Sequence, residues 1–87
     1  MNINQDNTAL IDCAVLAMHN SHSPHSGFKV GAAIQSTKGI IYPGTNVEFD
    51  AYSLTICAER AALFNGISNG DKKFIKIAIS TNSENFK

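Results

Sequence analysis

The N-terminal part of the chain places apolar and polar residues with the period of an amphipathic helix. From Asp6 to about Asn20, apolar side chains recur every three or four positions, which predicts a helix that Asp6 or Thr8 caps. The segment 21–27 follows and is rich in Ser, His and Gly, and Pro24 within it prevents the helix from continuing. We therefore expect a helix followed by a loop.

Three later segments have the composition of β-strands. Residues 28–36 are rich in β-branched and small apolar residues, and residues 40–42 follow after Thr37-Lys38-Gly39, a sequence suited to a tight turn. These two segments predict a β-hairpin. Residues 74–79 are almost continuously apolar, which is typical of a strand covered on both faces in a sheet flanked by helices.

A second helix is predicted between the hairpin and the last strand. It begins at Leu54 or Cys57 and ends at Ser68, because Asn69-Gly70 is a common way to end a helix. The order of elements is then α-β-β-α-β in a single domain, residues 1–87, and the last strand is expected to have an apolar unpaired edge.

The start of the second helix carries the residues that most clearly indicate chemistry. Cys57 is a soft metal ligand, and Glu59 supplies a carboxylate two positions later. Residues two apart point to different sides of a regular helix, so the two side chains converge only where the helix has barely begun. A zinc site needs at least three protein ligands, and this motif supplies one.

Composition favours some partners over others. Charged residues make up 16% of the chain, which is below the roughly 25% of typical soluble domains and suggests oligomerisation or a missing partner segment. Seven basic residues balance seven acidic ones without a basic cluster, so we expect no nucleic-acid or membrane partner and favour a small neutral ligand. Two cysteines and a polar N-terminus predict a reducing, cytoplasmic location.

Three separated motifs resemble, in order, those of the cytidine deaminase family of zinc hydrolases. Residues 26–33 are similar to the family's first strand, 44–48 to its nucleoside-binding loop and 57–60 to its zinc and catalytic motif. The resemblance implies an α/β fold, namely a cytidine deaminase-like α/β/α sandwich with a mixed sheet, represented by its N-terminal α-β-β-α-β portion. The family's Pro-Cys-x-x-Cys segment, which supplies two further thiolates, is absent from the sequence, so we expect an incomplete domain.

The resemblance also implies a role for each matched residue. Cys57 is one of three thiolate ligands of zinc, and Glu59 moves protons from the attacking water to the ring nitrogen and the departing ammonia. Arg60 offsets the thiolate charge by hydrogen bonding to sulfur. Five further residues are expected to border the nucleoside: Phe28 and Ala58 near the base, Asn46 and Glu48 at the ribose hydroxyls, and the aromatic Tyr52.

Each of these residues also has a purely structural interpretation. Cys57 fits a small buried side chain, and Glu59 fits any helix start because the helix dipole favours a carboxylate there. Phe28 fits a core position equally well. Asn46 and Glu48 also fit turn residues that satisfy the backbone groups of a loop.

The sequence therefore predicts the hydrolytic deamination of cytidine or deoxycytidine to the uridine product and ammonia, in pyrimidine salvage, by a zinc-dependent enzyme. The expected partners are a small pyrimidine nucleoside and either further copies of the chain, as a dimer or tetramer, or a complementing C-terminal segment. Two alternatives stay open. One is a non-catalytic remnant or accessory nucleoside-binding module without zinc, and the other is a blasticidin-type deaminase.

Overall fold

The computed structural model describes residues 7–49 and 55–82, which form two helices and three strands in the predicted order. The elements are α1 (Thr8–His19), β1 (Val30–Ser36), β2 (Ile41–Thr45), α2 (Ala58–Ser68) and β3 (Phe74–Thr81). Neither helix within these ranges is long and apolar enough to cross a bilayer. The predicted α/β class is confirmed.

The three strands form one sheet in the order β2-β1-β3. The predicted turn joins β1 to β2, with Gly39 at a φ of 87° and its N–H bonded to the Ser36 carbonyl oxygen at 2.9 Å. β2 and β3 both run antiparallel to β1, and α2 connects them. The parallel pairing of the expected mixed sheet is not found among these three strands, because β1 separates the two that run in the same direction.

Several element boundaries differ from the sequence prediction. β1 begins at Val30 rather than at residue 28, and β3 continues to Thr81 rather than ending at residue 79. β2 continues to Thr45 through Pro43 and Gly44, because an edge strand tolerates a proline whose missing N–H would not pair in the ladder. α1 begins at Thr8 with Asn7 as its N-cap, so the predicted cap at Thr8 is wrong, and Asp6, the other predicted cap, lies outside the described residues. The Asn7 side chain makes no capping bond, and its Oδ1 instead accepts a hydrogen bond from a lysine of β3.

The two helices pack on opposite faces of the sheet. Alternate residues of β1 point to opposite sides, so Ala32 packs against α2 while Ala33 packs against α1. One core cluster comprises Ala32, Ile34, Tyr42, Ala58 and Ala62. The other comprises Leu10, Ala14 and Ala33. The sheet between two helices is the α/β/α arrangement that the sequence predicts.

Glycines allow both helices to approach the sheet closely. A Cβ at Gly44 would lie 2.2 Å from the backbone nitrogen of Ala62, and a Cβ at Gly31 would lie 2.0 Å from the carbonyl oxygen of Ala14. Real side chains do not reach such distances, so a larger residue at either position would push its helix away. Gly44 therefore fixes the position of α2, which carries Cys57 and Glu59 at its start.

Beyond Phe74, which packs against the core cluster under α2, β3 is covered on one face and exposed on the other. Ala78 packs under α1, whereas Ile75, Ile77 and Ile79 are 60%, 50% and 53% exposed. The register places Ile77 opposite Ile34, on the face where α2 covers β1 and β2. The prediction of a strand covered on both faces is thus not met within the described residues.

The buried Asp71 carboxylate bonds to two other parts of the chain at the end of the sheet where β2 and β3 begin. The Tyr42 hydroxyl donates to Asp71 Oδ2 at 2.6 Å, and Lys38 Nζ lies 3.2 Å from Asp71 Oδ1. The hydrogen bond from Tyr42 lowers the pKa of the Asp71 carboxyl below its ordinary value. The ionised Asp71 therefore links the hairpin turn to the α2–β3 connection.

Substituting Gly44 tests how closely α2 approaches the sheet. We expect Gly44→Ala to lower the free energy of unfolding by about 1–3 kcal/mol, because the added methyl overlaps backbone that moves only with the whole helix. Urea denaturation measures this change. Gly39→Asn is the control, since Gly39 has open space and Asn tolerates a positive φ. A Gly44→Ala protein as stable as the unsubstituted one would contradict the close contact.

Candidate active site

The Cys57 and Glu59 motif lies where the sequence predicts it, at the start of α2. Cys57 is the N-cap residue, with an extended backbone at φ −84° and ψ 158°, and Glu59 lies in the first helical turn. Ile56, just before the motif, pairs with Val47 through two backbone hydrogen bonds of 3.0 Å each. This pairing holds the start of α2 against the segment that follows β2.

The start of α2 borders a cavity of about 470 Å³. Its volume lies within the roughly 300–1,000 Å³ of small-molecule sites. The lining residues are Phe28, Val30, Asn46, Glu48, Thr55, Ile56, Cys57, Ala58, Glu59, Ile79 and Thr81. The cavity therefore lies between the start of β1, the ends of β2 and β3, and the N-terminus of α2.

Six of the eight site residues predicted from the sequence line this one cavity. They are Phe28, Asn46, Glu48, Cys57, Ala58 and Glu59. Phe28 is 45% exposed and so does not fill the core. Tyr52 lies outside the described residues. Arg60 is exposed, and its guanidinium carbon lies 5.4 Å from the centre of the Phe64 ring. Its contact with a thiolate stays a prediction.

The Asn46 amide joins the strands and loops beside the cavity. It is only 9% exposed, and its Oδ1 accepts hydrogen bonds from the Ser21 hydroxyl and from the Val30 N–H. Its Nδ2 donates to the Phe28 carbonyl oxygen at 2.8 Å. These bonds use the acceptor capacity of Oδ1 and one of the two N–H groups, so the second N–H of Nδ2 has no partner among the residues that the structure describes.

The Glu48 carboxylate is held by the loop 21–27. Oε1 accepts from the backbone N–H groups of His25 at 3.0 Å and Ser26 at 3.1 Å, and Oε2 accepts from the Ser26 hydroxyl at 2.5 Å. The hydrogen bond from that hydroxyl is the main cause that lowers the pKa of the Glu48 carboxyl below its ordinary value. Glu48 is therefore a fixed, ionised acceptor at the cavity wall.

The contribution of the loop 21–27 to the site is not apparent from the sequence. The residue pattern predicts this segment only as a loop, yet Ser21 and Ser26 bond the two polar residues that the resemblance assigns to the sugar. The backbone of His22 adds two hydrogen bonds to the segment 46–48. Hydroxyls flanking Pro24 are the available signal in the sequence, since Ser side chains in turns commonly bond nearby polar groups.

The described residues do not fit a zinc ion on their own. Within 7–49 and 55–82, no group of three His, Cys, Asp or Glu side chains is placed to hold a metal ion. Cys57 is an exposed free thiol on the cavity wall and is suited to be one ligand. A catalytic zinc site needs two more protein ligands.

The sequence profile described as "Cytidine and deoxycytidylate deaminase zinc-binding region" matches residues 4–84. The chain belongs to the cytidine and deoxycytidylate deaminase family. A probable cytidine deaminase of Dictyostelium discoideum is 42% identical over 71 residues, and a cytidine deaminase of Sporosarcina psychrophila is 43% identical over 68 residues. The resemblance predicted from the three motifs is confirmed.

Solved structures of cytidine deaminases share the fold of this family member. The crystal structure of cytidine deaminase from Burkholderia pseudomallei aligns with a TM-score of 0.84 at 38% identity, over 92% of this chain and 65% of that one. The two curated relatives align over 82% and 78% of this chain. The chain spans about half of their length, 48% and 50%. The cytidine deaminase-like fold is thus confirmed for the described portion.

Replacing the Asn46 amide tests its structural bonds. In Asn46→Asp, an oxygen replaces the Nδ2 donor and faces the Phe28 carbonyl oxygen, so we expect a loss of about 1–3 kcal/mol in the free energy of unfolding at neutral pH. Urea denaturation followed by circular dichroism measures the loss. Asn7→Asp is the control, because Asn7 is exposed and an Asp there keeps an oxygen that accepts from Lys76 Nζ. An unchanged stability for Asn46→Asp would contradict the role of this amide.

Proposed function

We propose that this chain forms part of a cytidine deaminase, which hydrolyses cytidine or deoxycytidine to the corresponding uridine and ammonia. The supporting observation is one cavity bordered by Cys57 and Glu59 on one side and by Phe28, Asn46 and Glu48 on the other, in a chain of this family. Pyrimidine salvage in the cytoplasm is the setting that we propose for this activity.

Three of the lining residues then have a defined task. Phe28 provides an apolar wall for the pyrimidine, while the Glu48 carboxylate accepts from a sugar hydroxyl. Water adds to the ring carbon that bears the amino group, and the C–N bond to that group breaks. Glu59 accepts a proton from the attacking water and delivers it to the ring nitrogen. It then accepts the proton of the newly added hydroxyl group, whose oxygen becomes the carbonyl oxygen, and delivers it to the departing amine, which leaves as ammonia.

Zinc binding, in this proposal, requires two thiolates in addition to Cys57. They come from residues that continue this chain or from a second polypeptide that completes the domain. The open face of β3 supports this arrangement, since Ile79 both lines the cavity and belongs to the row of three exposed isoleucines. The share of the relatives' length that the chain spans, about half, supports it as well. Assembly of further copies, as a dimer or tetramer, is the other way that we propose to cover this face.

A nucleoside-binding module without zinc is the second candidate function. The observation that favours it is that the described residues include no group of three His, Cys, Asp or Glu side chains placed to hold a metal ion. Such a module would bind the nucleoside through Asn46 and Glu48 and would leave it unchanged.

Complementation distinguishes the two functions. Zinc content and ammonia release from cytidine are measured for this chain alone and with a C-terminal deaminase piece that carries Pro-Cys-x-x-Cys. We expect neither stoichiometric zinc nor turnover for the chain alone, and both for the pair. In the pair, Glu59→Gln should keep zinc and lower turnover at least about 100-fold, because the proton carrier is lost.

The control substitution is Asp12→Asn, an exposed carboxylate on α1 away from the cavity, which should leave turnover unchanged. Turnover by the isolated chain would contradict the need for further ligands. A zinc-loaded pair with no turnover, or a Glu59→Gln pair with full turnover, would contradict the proposed deamination. Nucleoside binding without zinc in every combination would favour the binding module.

A further inference from the structure

The Ser26 hydroxyl connects two walls of the cavity. It donates to Glu48 Oε2 at 2.5 Å and accepts from the Phe28 N–H at 3.0 Å. Phe28 and Glu48 both line the cavity, whereas Ser26 does not. The Ser26 hydroxyl thus fixes the distance between the Glu48 carboxylate and the Phe28 backbone, although Ser26 itself does not line the cavity.

We propose that Ser26 is a positioning residue that sets the Glu48 carboxylate for the recognition of sugar hydroxyls. The inference rests on the proposed function, because it assigns the nucleoside's sugar to the Glu48 side of the cavity.

The bonds to the loop leave Glu48 little acceptor capacity. A carboxylate has about four lone-pair directions, and the three hydrogen bonds from residues 25 and 26 use three of them. Ser26 supplies two of these bonds, through its N–H and its hydroxyl. The remaining direction on Oε2 is then fixed in space. Because the Glu48 side chain is already ordered, a ligand hydroxyl can bond there at little cost in side-chain conformational entropy.

The charge of Glu48 restricts the ligand to donors. The Ser26 hydroxyl favours the ionised carboxylate and is the leading cause of its lowered pKa, with the nearby His25 as a smaller contribution. An ionised carboxylate only accepts hydrogen bonds, and it repels anions. The site should therefore take a neutral sugar with a free hydroxyl and reject a sugar that carries a phosphate at that position.

Loss of the Ser26 hydroxyl should leave the loop in place. Ser26 is exposed, and the loop keeps the His22 N–H bond to the Asn46 carbonyl oxygen at 3.2 Å and the Glu48 N–H bond to the His22 carbonyl oxygen at 2.7 Å. The Gly27 N–H also donates to the Ser23 carbonyl oxygen at 2.9 Å. Ser26→Ala therefore removes the orienting contact without removing the loop's backbone attachments.

Steady-state kinetics of the complemented enzyme tests the inference. For Ser26→Ala we expect KM for cytidine to rise about 5- to 20-fold while kcat changes less than about twofold, because the carboxylate loses orientation in the ground-state complex and the transition state alike. Ser26→Thr keeps a hydroxyl and should restore KM to within about threefold. Ser68→Ala, an exposed serine on α2, is the control and should match the unsubstituted enzyme. An unchanged KM in folded Ser26→Ala would overturn the inference.

A carboxyl titration by NMR on the 87-residue chain separates this inference from the proposed function. In Ser26→Ala we expect the pKa of Glu48 to rise toward its ordinary value, and in Ser26→Thr to stay lowered. Absence of cytidine turnover in the unsubstituted complemented enzyme would refute the proposed function, and the Glu48 titration would still decide whether Ser26 sets this carboxylate. A Glu48 titration that is identical in the unsubstituted chain and Ser26→Ala would overturn the positioning role.

Discussion

The hydrogen bonds of the short segment 46–48 are the constraint on which the site depends. On one side this segment bonds to the loop 21–27, through side chains and backbone, and on the other side Val47 pairs with Ile56 just before α2. Three parts of the chain that are distant in sequence are therefore fixed at one end of the sheet. Buried backbone groups must find partners, and here those partners also place the residues that line the cavity.

β1 and β2 are closely packed against the helices, whereas one face of β3 is largely exposed. Gly31 and Gly44 let the helices touch the strands, and small alanines fill the two core clusters, so β1, β2 and both helices form a closely packed unit. β3 shares this packing on its α1 face and, on the α2 face, through Phe74 at its start. The row of exposed isoleucines on the α2 face of β3 ends at Ile79, which also lines the cavity. A segment that covered this row would therefore also border the cavity.

Local patterns predict the elements well because helices, turns and helix caps depend on neighbouring residues. The apolar period predicts α1, the segment Thr37-Lys38-Gly39 predicts the hairpin, and Cys57 marks the start of α2. Pro43 and Gly44 suggest irregular structure, yet they extend β2, because the strand lies at an edge and under a helix. These reasons are tertiary, and no local pattern contains them.

The candidate site is only partly predictable from the sequence, because its residues lie in local motifs but its contacts are tertiary. The family motifs identify six residues that the fold brings to one cavity, but the bonds that hold them are non-local. Asn46 reaches residues 16 to 25 positions away, and Glu48 reaches residues 22 and 23 positions away. A spacing pattern does not reveal such contacts. The structure also shows that a turn role and a ligand role are compatible, since Asn46 satisfies the loop backbone and still lines the cavity.

Binding of a pyrimidine nucleoside at this cavity, through the segment 46–48, is the proposal on which the assigned residue roles depend. Amide NMR spectra of the chain during titration with cytidine test it most directly, because binding is observed without zinc or turnover. We expect saturable shifts at Phe28, Asn46 and Glu48, with weaker binding of cytosine, which lacks the sugar. Shifts confined to other parts of the chain, no shifts at millimolar cytidine, or equal binding of cytosine and cytidine would contradict it.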